Sequence, residues 1–223
     1  MTNDASIDNS GLRTHRTTLT RKPERGAHDF ETIARILDEG ILCHIGFVAE
    51  AQPYVVPTAY GRDGRVLYVH GSAASRALRA LSGGVPMCLT VTLLDGLVLA
   101  RSVFHHSMNY RSVMVLGMAQ EAHGDEKLRA LQTITEHLAP GRWADARPPA
   151  AQELKATTVL RLPIDEASAK VRAGGPIDDE EDLSLPIWAG VLPLALVPRA
   201  PVPDARLDAG VALPAYVRGY RRP

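Results

Sequence analysis

Apolar positions at helical spacing open the readable part of the chain. Phe30, Ile33, Ile36 and Leu37 share one face and Gly40 stops the run, which predicts a short amphipathic helix over 28–39. The apolar runs at 41–49 and 52–61 read as strands, and Asp63-Gly64 supplies a turn before a third strand at 66–71. A helix over 72–81 follows at once and ends at Gly83-Gly84. Residues 85–96 and 97–104 read as two strands with Asp95-Gly96 as the hairpin turn between them. Residues 105–110 read as a loop, and 111–122 as a strand. Leu128, Leu131, Ile134 and Leu138 then mark a helix that Pro140-Gly141 terminates. A connector over 142–154, a strand at 155–164, a proline- and acid-rich loop at 174–186 and a last strand at 188–197 complete the pattern.

Strands joined by tight turns are antiparallel. The expected fold is therefore mainly β with inserted helices, an α+β barrel or sandwich of six or seven antiparallel strands. Residues 1–25 are polar and aperiodic, which predicts a flexible extension. A single domain over 26–200 and a proline-rich tail over 201–223 follow from the same pattern.

Composition narrows the function classes. The chain has 223 residues, with 25 basic and 25 acidic side chains and a formal net charge of zero. No general basic field exists to support sequence-independent nucleic-acid binding. The polar first thirty residues lack the apolar core of a signal peptide, and no apolar run approaches the roughly 20 residues that span a bilayer. Cys43 and Cys88 sit in apolar runs outside any metal-ligand spacing, which predicts two buried free thiols and a reducing, cytoplasmic setting.

Three stretches carry candidate chemistry. In "HGSAASR", a strand ends at His70 and Gly71, with Ser72 in N-cap position. On a helix, Ser72, Ser75 and Arg76 share one face. An arginine at a helix start is unfavourable by roughly 0.3–1 kcal/mol unless an anion sits there, so the group reads as a phosphate site; a capped helix with a surface arginine is the plainer alternative. In "FHHSMNYRSV", adjacent His105 and His106 point to opposite faces of an extended chain and make a poor metal pair, so no metal site is expected. Asn109, Tyr110, Arg111 and Ser112 give the following strand a polar start suited to a flat heterocycle. In "YVVPTAYG", Pro57 marks a strand edge or a bulge. Trp143 and Trp188 read as core or lid residues, Lys170 and Arg172 as a second anion contact or a solvated loop, and His44 as a satisfied core histidine.

Taken in order, "LCHIGFV", "QPYVVPTAYGRDG", "LYVHGSAASR", "FHHSMNYRSV", "PGRW" and "SAKVR" resemble the FMN-binding split-barrel proteins related to pyridoxamine 5′-phosphate oxidase. Within them the nearest branch is the flavin-nucleotide-binding one that includes nitroimidazole-resistance proteins. The resemblance covers roughly residues 20–200. It implies a split β-barrel holding FMN at a homodimer interface. It further implies that Ser72, Ser75 and Arg76 hold the FMN phosphate with His70 beside them, and that Pro57, Thr58 and Ala59 run along the isoalloxazine ring. Tyr110, Arg111 and Ser112 would reach the flavin from the next strand. The oxidases proper carry glutamine where Ser112 stands and lysine where Ala77 stands, departures that point away from vitamin B6 oxidation.

The expected function is an FMN-dependent oxidoreductase acting on a small planar, nitroaromatic or quinone-like substrate; a hydride donor such as NAD(P)H would stack on the exposed ring face, and with no separate dinucleotide motif in the sequence the reductant stays open. His70 or His106 would act as proton donor, and Arg111 would stabilise reduced flavin. The alternative is a non-catalytic protein of the same fold that stores FMN, FAD, haem or a deazaflavin.

Overall fold

The computed structural model describes residues 12–221. Among them are ten strands and six α-helices. In chain order these are β1 (Gly26–Ala27), α1 (Phe30–Glu39), β2 (Leu42–Ala49), β3 (Gln52–Asp63), β4 (Val66–Ser72), α2 (Arg76–Ser82), β5 (Pro86–Leu99), β6 (Ser107–Met118) and β7 (Gln120–Glu121). There follow α3 (Gly124–Leu138), α4 (Arg142–Asp145), α5 (Ala151–Ala156), β8 (Thr157–Pro163), β9 (Glu166–Arg172), β10 (Gly190–Pro193) and α6 (Ala215–Arg218). No helix among the described residues is long and apolar enough to cross a membrane. The mainly antiparallel, α+β character matches the sequence pattern, with more strands than the six or seven expected.

Internal contacts divide the chain into two compact units, each assembled from three separate segments, where the sequence predicts one continuous domain with two tails. The first comprises the described residues up to Gly40, Cys88–Leu116 and Asp165–Leu196. Its strands run β1-β9-β6-β5, and β10 pairs antiparallel with β5. Helix α1 starts where the Asp29 carboxylate accepts from the Thr32 N–H at 2.8 Å. It buries Ile33, Ile36 and Leu37 and packs against β9.

Four sequence expectations change in this unit. Residues 12–25 are not loose: Leu12 is fully buried and its carbonyl accepts from Ala167 N–H at 3.0 Å, while Thr14 and Arg16 both bond the Glu166 carboxylate. A lone apolar residue among polar ones gave no periodicity to read. Residues 1–11 lie outside the described residues. Asp95-Gly96 is not a turn; β5 runs through it, and a Cβ on Gly96 would meet the Leu192 carbonyl of β10 at 2.9 Å. The glycine there permits close strand approach. Strand β9 went unread because Ala167, Ser168 and Ala169 are small and all buried, which erases alternation. Cys88 is only half-buried.

The second unit comprises Ile41–Met87, Gly117–Ile164 and Val197 onward, with strand order β2-β3-β4-β8-β7. Alternation along β2 buries Cys43, Ile45 and Phe47 and leaves His44 exposed, so His44 is a surface residue and not a core one. Burial pushes the Cys43 thiol up to about 12. Pro57 lies opposite His44, and β3 pairs on its other side only from Tyr60 onward, which gives Pro57 the edge position that its missing N–H requires. Helix α3 crosses β3 at Gly61, where a Cβ would come within 2.8 Å of the Ile134 backbone. Around that crossing Tyr68, Ala122, Ala130, Ile134 and Val159 form a core. The tail is largely exposed, and Tyr216 of α6 returns to α4, donating to Asp145 at 2.7 Å.

Candidate functional site

The second unit brings seven of the predicted residues into one neighbourhood. A cavity of about 150 Å³ is lined by Pro57 and Thr58 of β3, by His70, Gly71 and Ser72 of β4, and by Ser75 at the start of α2. Ala59 follows Thr58 along the same strand. Helix α2 begins at Arg76, so the N-cap is Ser75 and Ser72 closes the strand instead, a correction to the expected helix start. The Ser75 hydroxyl accepts from Leu78 N–H at 3.5 Å, and the Ser72 hydroxyl from Ala74 N–H at 3.2 Å. Each hydroxyl therefore keeps its own O–H for an acceptor in the cavity.

Arg76 is exposed at the first position of α2 and has no carboxylate partner among the described residues. Its guanidinium lies over the Tyr54 ring, 4.8 Å from the centroid, and Tyr54 stacks on Phe47 at 5.4 Å. The aromatic face holds the cation in place without neutralising it. Tyr54 is a residue that the sequence reading missed; its only signal was an aromatic opposite Phe47 in a predicted strand pair.

His70 also lines a second cavity, of about 590 Å³, shared with Leu131 and Thr135 of α3, Arg142 and Trp143 of α4, and Leu154 of α5. Its Nδ1 is buried and makes no hydrogen bond among the described residues. Burial holds the ring's pKa below its ordinary 6.5, so it is neutral at pH 7. The "PGRW" turn is built by Glu136, whose carboxylate accepts from Gly141 N–H at 2.6 Å and Trp143 N–H at 2.8 Å. This presents the indole to the cavity. Arg147 is taken up by Glu153 at 2.5 and 2.8 Å, and that bidentate bond helps hold the Glu153 carboxyl down at about 2. Arg142 donates to Tyr216 at 3.1 Å and weakly to Asp145 at 3.4 Å, and its Nε and Nη2 have no partner among the described residues.

The other four predicted residues belong to the first unit. His106 is exposed, with Nδ1 3.0 Å from the Ser102 carbonyl. Tyr110 lies opposite Arg172 in the β6–β9 ladder, and the Ser112 hydroxyl donates across it to the Lys170 carbonyl at 3.4 Å. Arg111 is clamped between two carboxylates. It bonds Asp95 at 3.0 and 2.8 Å and Glu39 at 2.8 Å, with a further short bond from Nη1 to Glu39. Those hydrogen bonds, from Glu39 and then Asp95, raise its pKa further. The guanidinium expected to face a flavin is thus occupied by protein.

Against known proteins, the chain is similar over almost its whole length to the flavocytochrome Anf3 of Azotobacter vinelandii: 42% identity, TM-score 0.89, covering 94% of this chain and 98% of that one. It is similar to an FAD- and haem-binding protein of Mycobacterium smegmatis at 38% identity and TM-score 0.84, covering 87% of this chain and 96% of that one. A candidate 5-nitroimidazole antibiotic resistance protein of Bacteroides thetaiotaomicron matches at 26% identity and TM-score 0.56, over 66% of this chain and 86% of the other. No curated protein matches. The sequence model described as pyridoxamine 5′-phosphate oxidase matches residues 29–171. With the antiparallel, split-barrel strand content and the "HGSAASR" cavity described above, that match establishes that the chain belongs to the pyridoxamine 5′-phosphate oxidase family.

Proposed function

We propose that the protein is a redox flavoprotein of the flavocytochrome kind, binding a flavin nucleotide and a haem. The observation that carries this reading is the near-full-length likeness to a flavocytochrome at 42% identity. The residues of the smaller cavity fit a flavin nucleotide's phosphate. The Ser72 and Ser75 hydroxyls of its lining have O–H groups to donate, and Arg76, next to Ser75 but outside the lining, is an arginine without a carboxylate partner among the described residues; these are donors that a phosphate needs. The nucleotide is FMN or FAD, and Pro57, Thr58 and Ala59 offer their backbone to the ring.

A bound flavin supplies hydride and single-electron chemistry, and a haem single-electron chemistry. The chain's own residues position and shield these groups. His70, being neutral, serves better as an acceptor or ligand than as a proton donor. Small planar acceptors, nitroaromatic or quinone-like, and NAD(P)H as reductant belong to the same proposal; the likeness to the nitroimidazole-resistance protein favours them. So does a homodimer. Val55, 69% exposed, and Pro57, two positions on and also exposed, share one face of β3 and form an apolar stretch that a second copy would cover.

The test is the near-ultraviolet and visible spectrum of the purified protein, before and after FMN, FAD and hemin are added, with Arg76→Ala as control. Flavin bands and a Soret band, the flavin bands weakened in the variant, are the expected result. A colourless protein that takes up no flavin on titration overturns the reading.

A further inference from the structure

His70 is an imidazole left without a protein partner. Its Nδ1 is buried and unbonded, and neither ring nitrogen makes a hydrogen bond among the described residues. A buried polar atom without a partner costs about 1–3 kcal/mol, so such a group calls for a ligand or a solvent bridge. The ring lines a cavity of about 590 Å³, within the roughly 300–1,000 Å³ typical of small-molecule and cofactor pockets and far above the ~30 Å³ share of one water. The remaining walls are mixed: Thr135, Thr157 and two carboxylates line them, Asp145 bonded by Tyr216 and Arg142 and Glu153 by Arg147. Leu131, Leu154 and the Trp143 indole give flat apolar surface. Arg142, half-exposed, keeps Nε and Nη2 uncommitted, whereas both terminal nitrogens of Arg147 are bonded to Glu153.

Few ligand classes want that combination. A phosphate ester needs several converging donors, and the smaller cavity already offers the Ser72 and Ser75 hydroxyls for one. A flavin ring gains nothing from an unbonded neutral imidazole facing a tryptophan and leucines. A tetrapyrrole uses all three features: a neutral imidazole on the iron, apolar walls against the macrocycle, and a cation for a propionate.

We infer that this cavity is the haem pocket, with the His70 imidazole as axial ligand and Arg142 as the partner of a propionate. The inference rests on the two-cofactor reading above and assigns its second cofactor to named residues. It also gives "PGRW" a purpose. The Glu136 carboxylate fixes Gly141 and Trp143 so that arginine and indole both reach the same cavity.

The experiment is hemin titration of the full chain, followed by absorption and by electron paramagnetic resonance of the ferric protein. Wild type is expected to bind one haem per chain with a histidine-ligated spectrum. His70→Ala is expected to lose that spectrum and bind hemin at least tenfold more weakly, and added imidazole is expected to restore the Soret band. Arg142→Leu is expected to keep the ligand spectrum and weaken binding roughly three- to tenfold. As a measurement independent of variants at His70, hemin is expected to quench Trp143 emission in a Trp188→Phe background. Haem binding with an unchanged spectrum in His70→Ala, or without quenching of Trp143, overturns this assignment and leaves the two-cofactor reading standing. Flavin uptake with no haem uptake by wild type overturns the haem half of both.

Discussion

Two arginines read from the sequence as flavin contacts stand in opposite electrostatic circumstances. Arg76 is exposed, stacked on Tyr54 and free of carboxylates among the described residues, so a full positive charge is held in place and on offer. Arg111 spends four hydrogen bonds on Glu39 and Asp95, and the cluster of three carries a net negative charge. Residue type does not separate the two; what the neighbours have already claimed does. An aromatic ring restrains an arginine without neutralising it, whereas two carboxylates convert it into a structural joint.

The comparison breaks most sharply at Arg76. Arg76→Ala is expected to weaken flavin binding roughly 10–100-fold, the value of a charge-assisted phosphate contact, with little change in melting temperature. Isothermal titration with FMN and FAD measures the first and a thermal melt the second; an unchanged Kd refutes the phosphate role. Arg111→Leu is expected to show the reverse pattern. Glu39 and Asp95 would lose the guanidinium they share, and the loss of about 1–2 kcal/mol from a one-third-exposed cluster lowers Tm by roughly 2–8 °C. Adding Glu39→Gln to that variant should recover part of the loss. If Arg111→Leu leaves Tm untouched and abolishes flavin binding instead, the contrast is wrong.

The ring beneath Arg76 gives a smaller effect. Tyr54→Leu removes restraint but not charge, and about 0.5–1 kcal/mol corresponds to a two- to fivefold weaker flavin Kd in the same titration. The smallest effect is on pH. Burial lowers the His70 pKa, so between that lowered value and 6.5 the unfolded chain binds the proton that the folded chain refuses. Stability from this group is complete above pH 6.5 and is lost as pH falls through the window below it. The cofactor-free protein should therefore lose more Tm between pH 7 and pH 5.5 than His70→Gln does, in matched thermal melts.

Much of this was legible before any coordinates. Helices α1 and α3 follow from apolar spacing with clear stops, and strands β2 to β4 from alternation and an Asp-Gly turn. The helix after β4 was also readable from its local signals, although the pattern puts its start at Ser72, three residues before the Ser75 cap, because Ser72 and Ser75 are both good capping residues. The clamp on Arg111 was not, since its carboxylates lie 72 and 16 residues away. Asp95-Gly96 misleads for a related reason. Both residues serve tertiary purposes, an ion pair and a close strand contact, with a dipeptide that elsewhere makes a turn. The larger cavity left almost no trace, because its walls come from α3, α4, α5 and β4, and only "PGRW" hinted at it.

His70 is a wall of both cavities, so any coupling between their occupancies has one ring to pass through. Whatever displacement or restraint of the ring accompanies filling of one cavity is felt as a changed boundary by the other. Reciprocity then fixes a quantity that neither site reveals alone: the factor by which the first guest alters affinity for the second equals the factor by which the second alters affinity for the first. The order in which two guests enter would set the kinetics of loading but not the final balance.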